Sequence, residues 1–292
     1  MIRGGFIERN LKMIFTLPAV MFVVVMMLFP IVYTLFLSFT NWNLTSGMPL
    51  RFVGFKSYAR VFSEPRFLDA IGRTFLFTAM CIALETFFGM AIALVLNRAF
   101  VGKGLIKLFL LLPLVATPVA VGIVFNLFFD PTIGLANWAL GLVGLPKSEW
   151  VSSAATALPS LVLVDVWQWT PMIALICLAG LASLPSDPYE SARVDGASAP
   201  QILMRITLPM LAPTILTAII LRSIDALKTF DIIFAMTGGG PGYASETLNI
   251  LAFKYSLDYF KIEQASVMLV SLFVIGLASS LGIMKLRGSS EV

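Results

Sequence analysis

The chain has 292 residues, 59% apolar and 12% charged, with 20 Lys and Arg against 16 Asp and Glu and no His. Soluble domains carry about 25% charged residues, so a water-soluble globule is excluded and a polytopic membrane protein is expected, in line with a mean hydropathy of +0.93. The net charge of +4 is too mild and its residues too scattered for nucleic acid, and the absence of His removes His-based triads, histidine proton relays and the usual zinc sites.

About 20 helical residues cross roughly 30 Å of hydrocarbon. Six stretches reach that length and predict an all-α membrane protein with six transmembrane helices: Met13–Phe39, Thr74–Leu96, Leu108–Phe128, Ala157–Leu181, Met210–Met236 and Gln264–Met284. The first follows Arg3, Arg9 and Lys12 as a signal peptide would. Its 27 uncharged residues and lack of a small-residue cleavage site predict a retained span. Pro18, Pro30, Pro113, Pro118, Pro159, Pro171 and Pro213 fall within the spans, where membrane helices tolerate them as bends. Cys81 and Cys177 sit in apolar runs and are expected to serve as small hydrophobes without a disulfide.

Orientation follows from the basic residues. The tails 1–12 and 285–292, with segments 97–107 and 182–209, hold 10 Lys or Arg in 59 residues; loops 40–70, 129–156 and 237–261 hold 7 in 84. The positive-inside rule places the first set, and with it both termini, in the cytoplasm. Trp42, Trp138, Trp150, Tyr58 and Tyr259 then fall in outer loops, where aromatics usually mark the membrane interface.

Between the fourth and fifth spans, residues 186–209 read SDPYESARVDGASAPQILMRITLP and carry two helix-start signals. Asp187 can cap a helix opening on Pro188 with Glu190 reaching back, and Ser198 with Gln201 forms a second capping box. Gly196 separates them at the position where a left-handed turn suits a residue without a side chain. The pattern predicts a short helix, a tight turn and a second short helix at the membrane surface. It serves equally as a knob for a partner or as an amphipathic interfacial hairpin.

Ionisable residues inside the spans are Glu85, Asp165, Arg222, Asp225, Lys228 and Asp231. The four in the fifth span would together cost roughly 10 kcal/mol facing lipid, so they are expected to face an interior. Arg222, Asp225 and Thr229 share one helical face at i, i+3, i+7, with Arg222 near enough to pair with Asp225. Asp165, Gln168 and Trp169 form a second polar and aromatic stripe in the fourth span. A ring beside carboxylate and amide suits a sugar; equally, such groups hold membrane helices together.

No GxxxxGK[ST] phosphate loop is present, and the glycines at 238–240 read as a turn, so ATP-driven work needs a separate subunit. An ion-coupled secondary transporter using Glu85 and Asp225 is the competing expectation. An intramembrane protease is a formal alternative only, because the sequence holds neither a GxGD motif nor a histidine.

Glu190, Ser191, Ala192, then Gly196, then Ile206-Thr207-Leu208-Pro209 resembles the EAA loop of binding-protein-dependent ABC importer permeases, with Ser191 where alanine is usual. FVGFKSYARVF at 52–62, DVWQWTP at 165–171 and FDIIFAMTGGGPG at 230–242 resemble the carbohydrate branch, of the maltose and glycerol-phosphate type. The resemblance implies a type I permease fold spanning 13–284, and a coupling helix that docks into a cytoplasmic ATPase. Glu190, Ala192, Gly196, Leu208 and Pro209 would make that coupling contact, and a translocation pocket would form from Asp165, Gln168, Trp169, Arg222, Asp225 and Thr229. It also implies a second permease, two ATP-binding subunits, an extracytoplasmic solute-binding protein, and a bacterial cell membrane. ATP and magnesium would reside on the ATPase, with no cofactor in this chain, no catalytic residue, no metal and no nucleic-acid partner.

Overall fold

The computed structural model describes residues 6–289; the outer parts of the two expected tails, 1–5 and 290–292, lie outside the described residues. Helices dominate, and the described residues contain one isolated antiparallel bridge, Thr40 to Phe52. In chain order they are α1 (Phe6–Ser38), α2 (Lys56–Phe62), α3 (Pro65–Leu96), α4 (Lys103–Val115), α5 (Pro118–Phe128), α6 (Leu135–Leu142) and α7 (Ala157–Ala182). There follow α8 (Asp187–Val194), α9 (Ala199–Ile202), α10 (Leu208–Leu227), α11 (Asp231–Met236), α12 (Leu248–Phe253) and α13 (Ile262–Ser289). Five helical runs are long and apolar enough to cross a membrane, six when the bent pair α4–α5 counts as one span. This is the expected number.

Two spans break where the sequence predicts continuous helix. The third turns through 100° between α4 and α5. Pro118 is the cause: a residue preceding proline is pushed out of the helical region, and Ala116 and Thr117 are both extended with ψ near 136°. The carbonyl of Ala116 freed by the bend accepts a bond from Gln168 Nε2 at 3.0 Å. The fifth span stops at Leu227 and restarts at Asp231, and the Lys228 carbonyl accepts from Asn249 Nδ2 at 2.8 Å. Both breaks thus satisfy the polar backbone that hydrocarbon would leave bare.

The chain divides into two units. Among the described residues, 6–64 with 252–271 form one. There Leu44 N–H donates to the Phe260 carbonyl at 3.0 Å, Glu263 N–H to the Trp42 carbonyl at 3.1 Å, and the Tyr255 hydroxyl to Glu64. Most of α1 is exposed along its apolar length, as a helix bathed in lipid would be.

The second unit, 65–251 with 272–289 among the described residues, holds the principal core, built around Phe77, Leu161, Val164, Ile232 and Ile233. Its axis is the pairing of α3 with α7, the most extensive between any two helices, with α10 packed against both. Small residues permit the approach: a Cβ on Gly180 would stand 2.7 Å from Leu211 Cδ1 and Thr214 Cγ2. Trp150, expected at the interface, is instead part of this unit's packing. Its ring stacks on Phe129 at 4.6 Å and its indole N–H donates to Asn137 Oδ1 at 2.9 Å. Trp138 does stay 64% exposed.

Candidate functional site

Three helices each deliver one charged residue to the same buried point. Glu85 comes from α3, Asp165 from α7 and Arg222 from α10, and all are at most 1% exposed. Arg222 Nε donates to Glu85 Oε2 at 2.7 Å and Nη2 to Glu85 Oε1 at 3.0 Å; Nη2 also donates to Asp165. The planar fork of the guanidinium is why arginine serves here: it meets Glu85 in a bidentate pair and still reaches a second carboxylate. The expected pairing of Arg222 with Asp225 does not occur. One helical turn beyond Arg222, Asp225 points to the half-open end of α10 and pairs with Lys228 Nζ at 3.4 Å. Two carboxylates on neighbouring helices outcompete a local partner because together they accept three charge-assisted bonds from the guanidinium, which offset the cost of burying it.

On the open side of this cluster lies a cavity of about 290 Å³. Asp165, Trp169, Arg222, Asp225 and Thr229, five of the six residues expected along a substrate pathway, line it. Arg222 Cζ stands 5.1 Å from the Trp169 ring centroid, so the cation covers one face of the indole. The sixth, Gln168, is turned to the Ala116 carbonyl at the α4–α5 bend and does not line the cavity. Lys228, Phe230, Asp231 and Pro118 also line it, and spacing along one continuous helix does not find them. Both backbone breaks meet at this cavity: Pro118 opens α5, and Lys228 to Asp231 bridge α10 and α11. The signal in the sequence is the density of ionisable residues between 222 and 231.

The second candidate surface is the loop 186–209. α8 begins with Asp187 itself inside the helix and with no side-chain cap bond, so the capping expected of Asp187 and Glu190 is not made. Gly196 takes the left-handed turn, φ +76°, and Ser198 N–H donates to Gln201 Oε1 at 2.7 Å as the capping box requires. The second short helix does not stand alone. α9 runs through one wide π-helical turn, Leu203–Thr207, directly into α10. Tyr189 Oη donates to Thr207 Oγ1 at 3.3 Å and ties α8 to that join. Glu190, Gly196 and Pro209 are exposed, Ala192 and Leu208 half-buried. Two apolar side chains stand in the open beside them, Val194 at 88% and Met204 at 65% exposure. Behind α8 a cavity of about 640 Å³ is lined by Leu94, Arg98, Leu181, Tyr189 and Arg193 among others.

Away from both sites, the glycine-rich turn after α11 is clamped to the start of α3. Arg66 makes a bidentate pair with the buried Glu246, both bonds 2.7 Å, and Arg73 Nε donates to the Glu246 carbonyl at 2.9 Å. Sequence spacing gives no hint of this pair, which joins residues 180 apart.

Apolar helices enough to cross a bilayer six times, a charged cavity within the second unit and an exposed helix-turn-helix define a membrane transport subunit. The chain belongs to the family of binding-protein-dependent transport system inner membrane components, which matches residues 66–286. It is 36% identical over 248 residues to the trehalose/maltose transport system permease protein MalF of Thermococcus litoralis, covering 85% of this chain and 84% of the relative. It is 33% identical to the sulfoquinovosyl glycerol transport system permease protein SmoG of Agrobacterium fabrum, covering 92% and 88%. The trehalose transport system permease protein SugA of Mycobacterium tuberculosis is 32% identical, covering 91% and 85%. A chain from the crystal structure of a bacterial alginate ABC transporter, in complex with an alginate pentasaccharide-bound periplasmic protein, superposes with a TM-score of 0.82. At 21% identity, covering 95% and 94%, it shares the fold, that of a type I ABC importer permease. This is an importer permease, a multi-pass membrane subunit, and the secondary-transporter and protease readings fall away.

Proposed function

We propose that this chain carries a sugar, polyol or sugar derivative into the cytoplasm by alternating access, driven by ATP hydrolysed on separate subunits. The cargo class is supported by relatives named for trehalose, maltose and sulfoquinovosyl glycerol transport. The observation that carries the mechanism is a single uninterrupted helical run, Ala199–Leu227, joining the exposed turn to the cavity. At 1.5 Å per residue its 29 residues reach about 43 Å. In this mechanism a push at the Gly196 turn passes along this helical rod, through the π-turn at Leu203–Thr207, to Arg222 and Asp225 near its far end.

On this reading α8 is the coupling helix. Glu190 and Ala192 with the exposed Val194 meet a groove in the ATPase, Gly196 sets the angle, and Leu208 and Pro209 hold the rod's entry. A second permease, two ATP-binding subunits and an extracytoplasmic binding protein complete the assembly in a bacterial cell membrane, with both termini and the knuckle formed by the loop 186–209 cytoplasmic. ATP and magnesium sit on the ATPase. Trp169, Asp225 and Thr229 contact cargo, Asp165 and Arg222 wall the cavity, and Gln168 holds the α4–α5 bend that shapes it. The cavity lies at the lower end of the usual ligand-site range, room for about one sugar ring.

Val194→Cys, placed in the complete complex with its ATPase, tests the coupling role. The thiol is expected to be shielded from a water-soluble maleimide when the ATPase is bound, and to cross-link to it with a yield that changes on adding ATP. Labelling as fast with the ATPase bound as without it would overturn the coupling role.

A further inference from the structure

The cavity carries a charge imbalance. Asp165, Arg222, Asp225, Lys228 and Asp231 line it, and Glu85 stands behind Arg222. Four carboxylates thus face two cations, and neither cation is free. Arg222 has Nε and Nη2 committed to Glu85 and Asp165, and Lys228 pairs with Asp225 at 3.4 Å. Among the described residues, Asp165 Oδ1 is buried without a hydrogen-bond partner, and Asp231, in the first turn of α11, has no ion pair. Were Glu85 and Asp165 to share one proton, one net negative charge would still remain on the wall.

Resting on the reading that this cavity takes a saccharide, we infer that its cargo is uncharged. A sugar bearing carboxylate, sulfonate or phosphate would meet surplus negative charge at close range, with Asp225 and Asp231 on the exposed rim and Asp165 and Glu85 buried behind it. Drawing Arg222 toward such a group would strand Glu85 and Asp165, each 0% exposed, without the cation they share. Hydroxyls have the opposite experience. The oxygens of Asp225 and Asp231 accept from sugar O–H groups, the Thr229 hydroxyl, which donates to the Asp225 carbonyl at 3.4 Å, can accept another, and Trp169 and Phe230 offer aromatic faces. The charge pattern therefore selects for many hydroxyl donors and against an anionic substituent.

The assembled complex in nanodiscs, without its binding protein, is titrated with maltose and with a disaccharide in which one ring is a uronate, and binding is read by saturation-transfer NMR. The neutral sugar is expected to bind at least tenfold more tightly. Asp231→Asn should narrow that gap by about threefold or more, and Asp231→Ser, which keeps a helix-start residue without charge, gives the same readout should the first variant assemble poorly. Equal or tighter binding of the uronate sugar, or a gap unmoved by both variants, would overturn the inference while leaving a saccharide site in place. Binding of neither sugar would remove the saccharide site itself, and the inference with it.

Discussion

Arg222 and Arg193 are the same residue type on elements joined by one chain segment, yet they live in opposite conditions. Arg222 is 1% exposed and grips two carboxylates on two other helices; Arg193 lies exposed on α8 beside Glu190 in a helix that buries none of its residues. In the first setting a charge is bearable only because its partners are fixed, and removing one leaves the others uncompensated. In the second, water solvates every charge and substitution costs little stability. The difference separates what holds this permease together from what it offers to a partner, and substitutions on either side of it should behave differently.

The largest effect is expected at the buried cluster. Arg222→Leu leaves two carboxylates in a core without their cation and should cost about 3–5 kcal/mol, seen as lost folded yield and a lower thermal midpoint in detergent. Replacing Glu85, Asp165 and Arg222 together by Leu should recover most of that loss, because the desolvation penalty leaves with the charges. A single variant as stable as the parent would show that the cluster has no structural role.

The knuckle should answer in the reverse sense. Gly196 sits at φ +76°, and a Cβ added there would meet no atom within 4 Å, so a substitution brings backbone strain of about 1–2 kcal/mol and no clash. Gly196→Asp is expected to leave insertion intact and to lower the thermal midpoint by no more than that strain implies, while abolishing ATP-driven uptake in the complete complex. Normal uptake would count against coupling at this turn. Smaller still is Ser198→Ala. It removes the side-chain half of the capping box at α9 and should cost about 1 kcal/mol, read as faster amide exchange over residues 199–203 with α10 unaffected. Equal exchange in both proteins would mean that α9 is held by its continuity with α10 alone.

What is legible in the sequence divides along the same line. The spans are legible because burying apolar length is a local property, and the turn at Gly196 because capping and left-handed backbone are set by neighbours in sequence. The partner of Arg222 is not. Asp225 is three residues away, while Glu85 is 137 and Asp165 57 residues away, and only the packing of α3, α7 and α10 brings the distant pair nearer. The helix breaks fall between these cases. Pro118 announces one, yet Lys228–Phe230 contains neither Gly nor Pro, and Asn249, 21 residues on, satisfies the carbonyl there. Sites assembled at a break draw residues from both sides of it, which is why Lys228, Phe230 and Asp231 lie outside a stripe traced along one helix.

Asp130 supplies the mildest test, since it is an exposed carboxylate stabilised without any cation. Its Oδ1 accepts from Thr132 Oγ1 at 2.6 Å, Thr132 N–H at 2.8 Å and Ile133 N–H at 3.0 Å. These bonds, the Thr132 hydroxyl foremost, hold its carboxyl below the usual range. A depressed folded value means that the contribution to stability is present above the ordinary carboxylate range and is lost as pH falls through the lower value. Thr132→Val deletes the hydroxyl donor and keeps both amides, so the Asp130 carboxyl should titrate at higher pH than in the parent, followed by carbon NMR of labelled Asp. An unchanged titration would mean that the two amides alone hold the carboxylate. The variant should not disturb the Arg222 cluster, where fixed ion pairs, rather than loop hydrogen bonds, decide which charges survive.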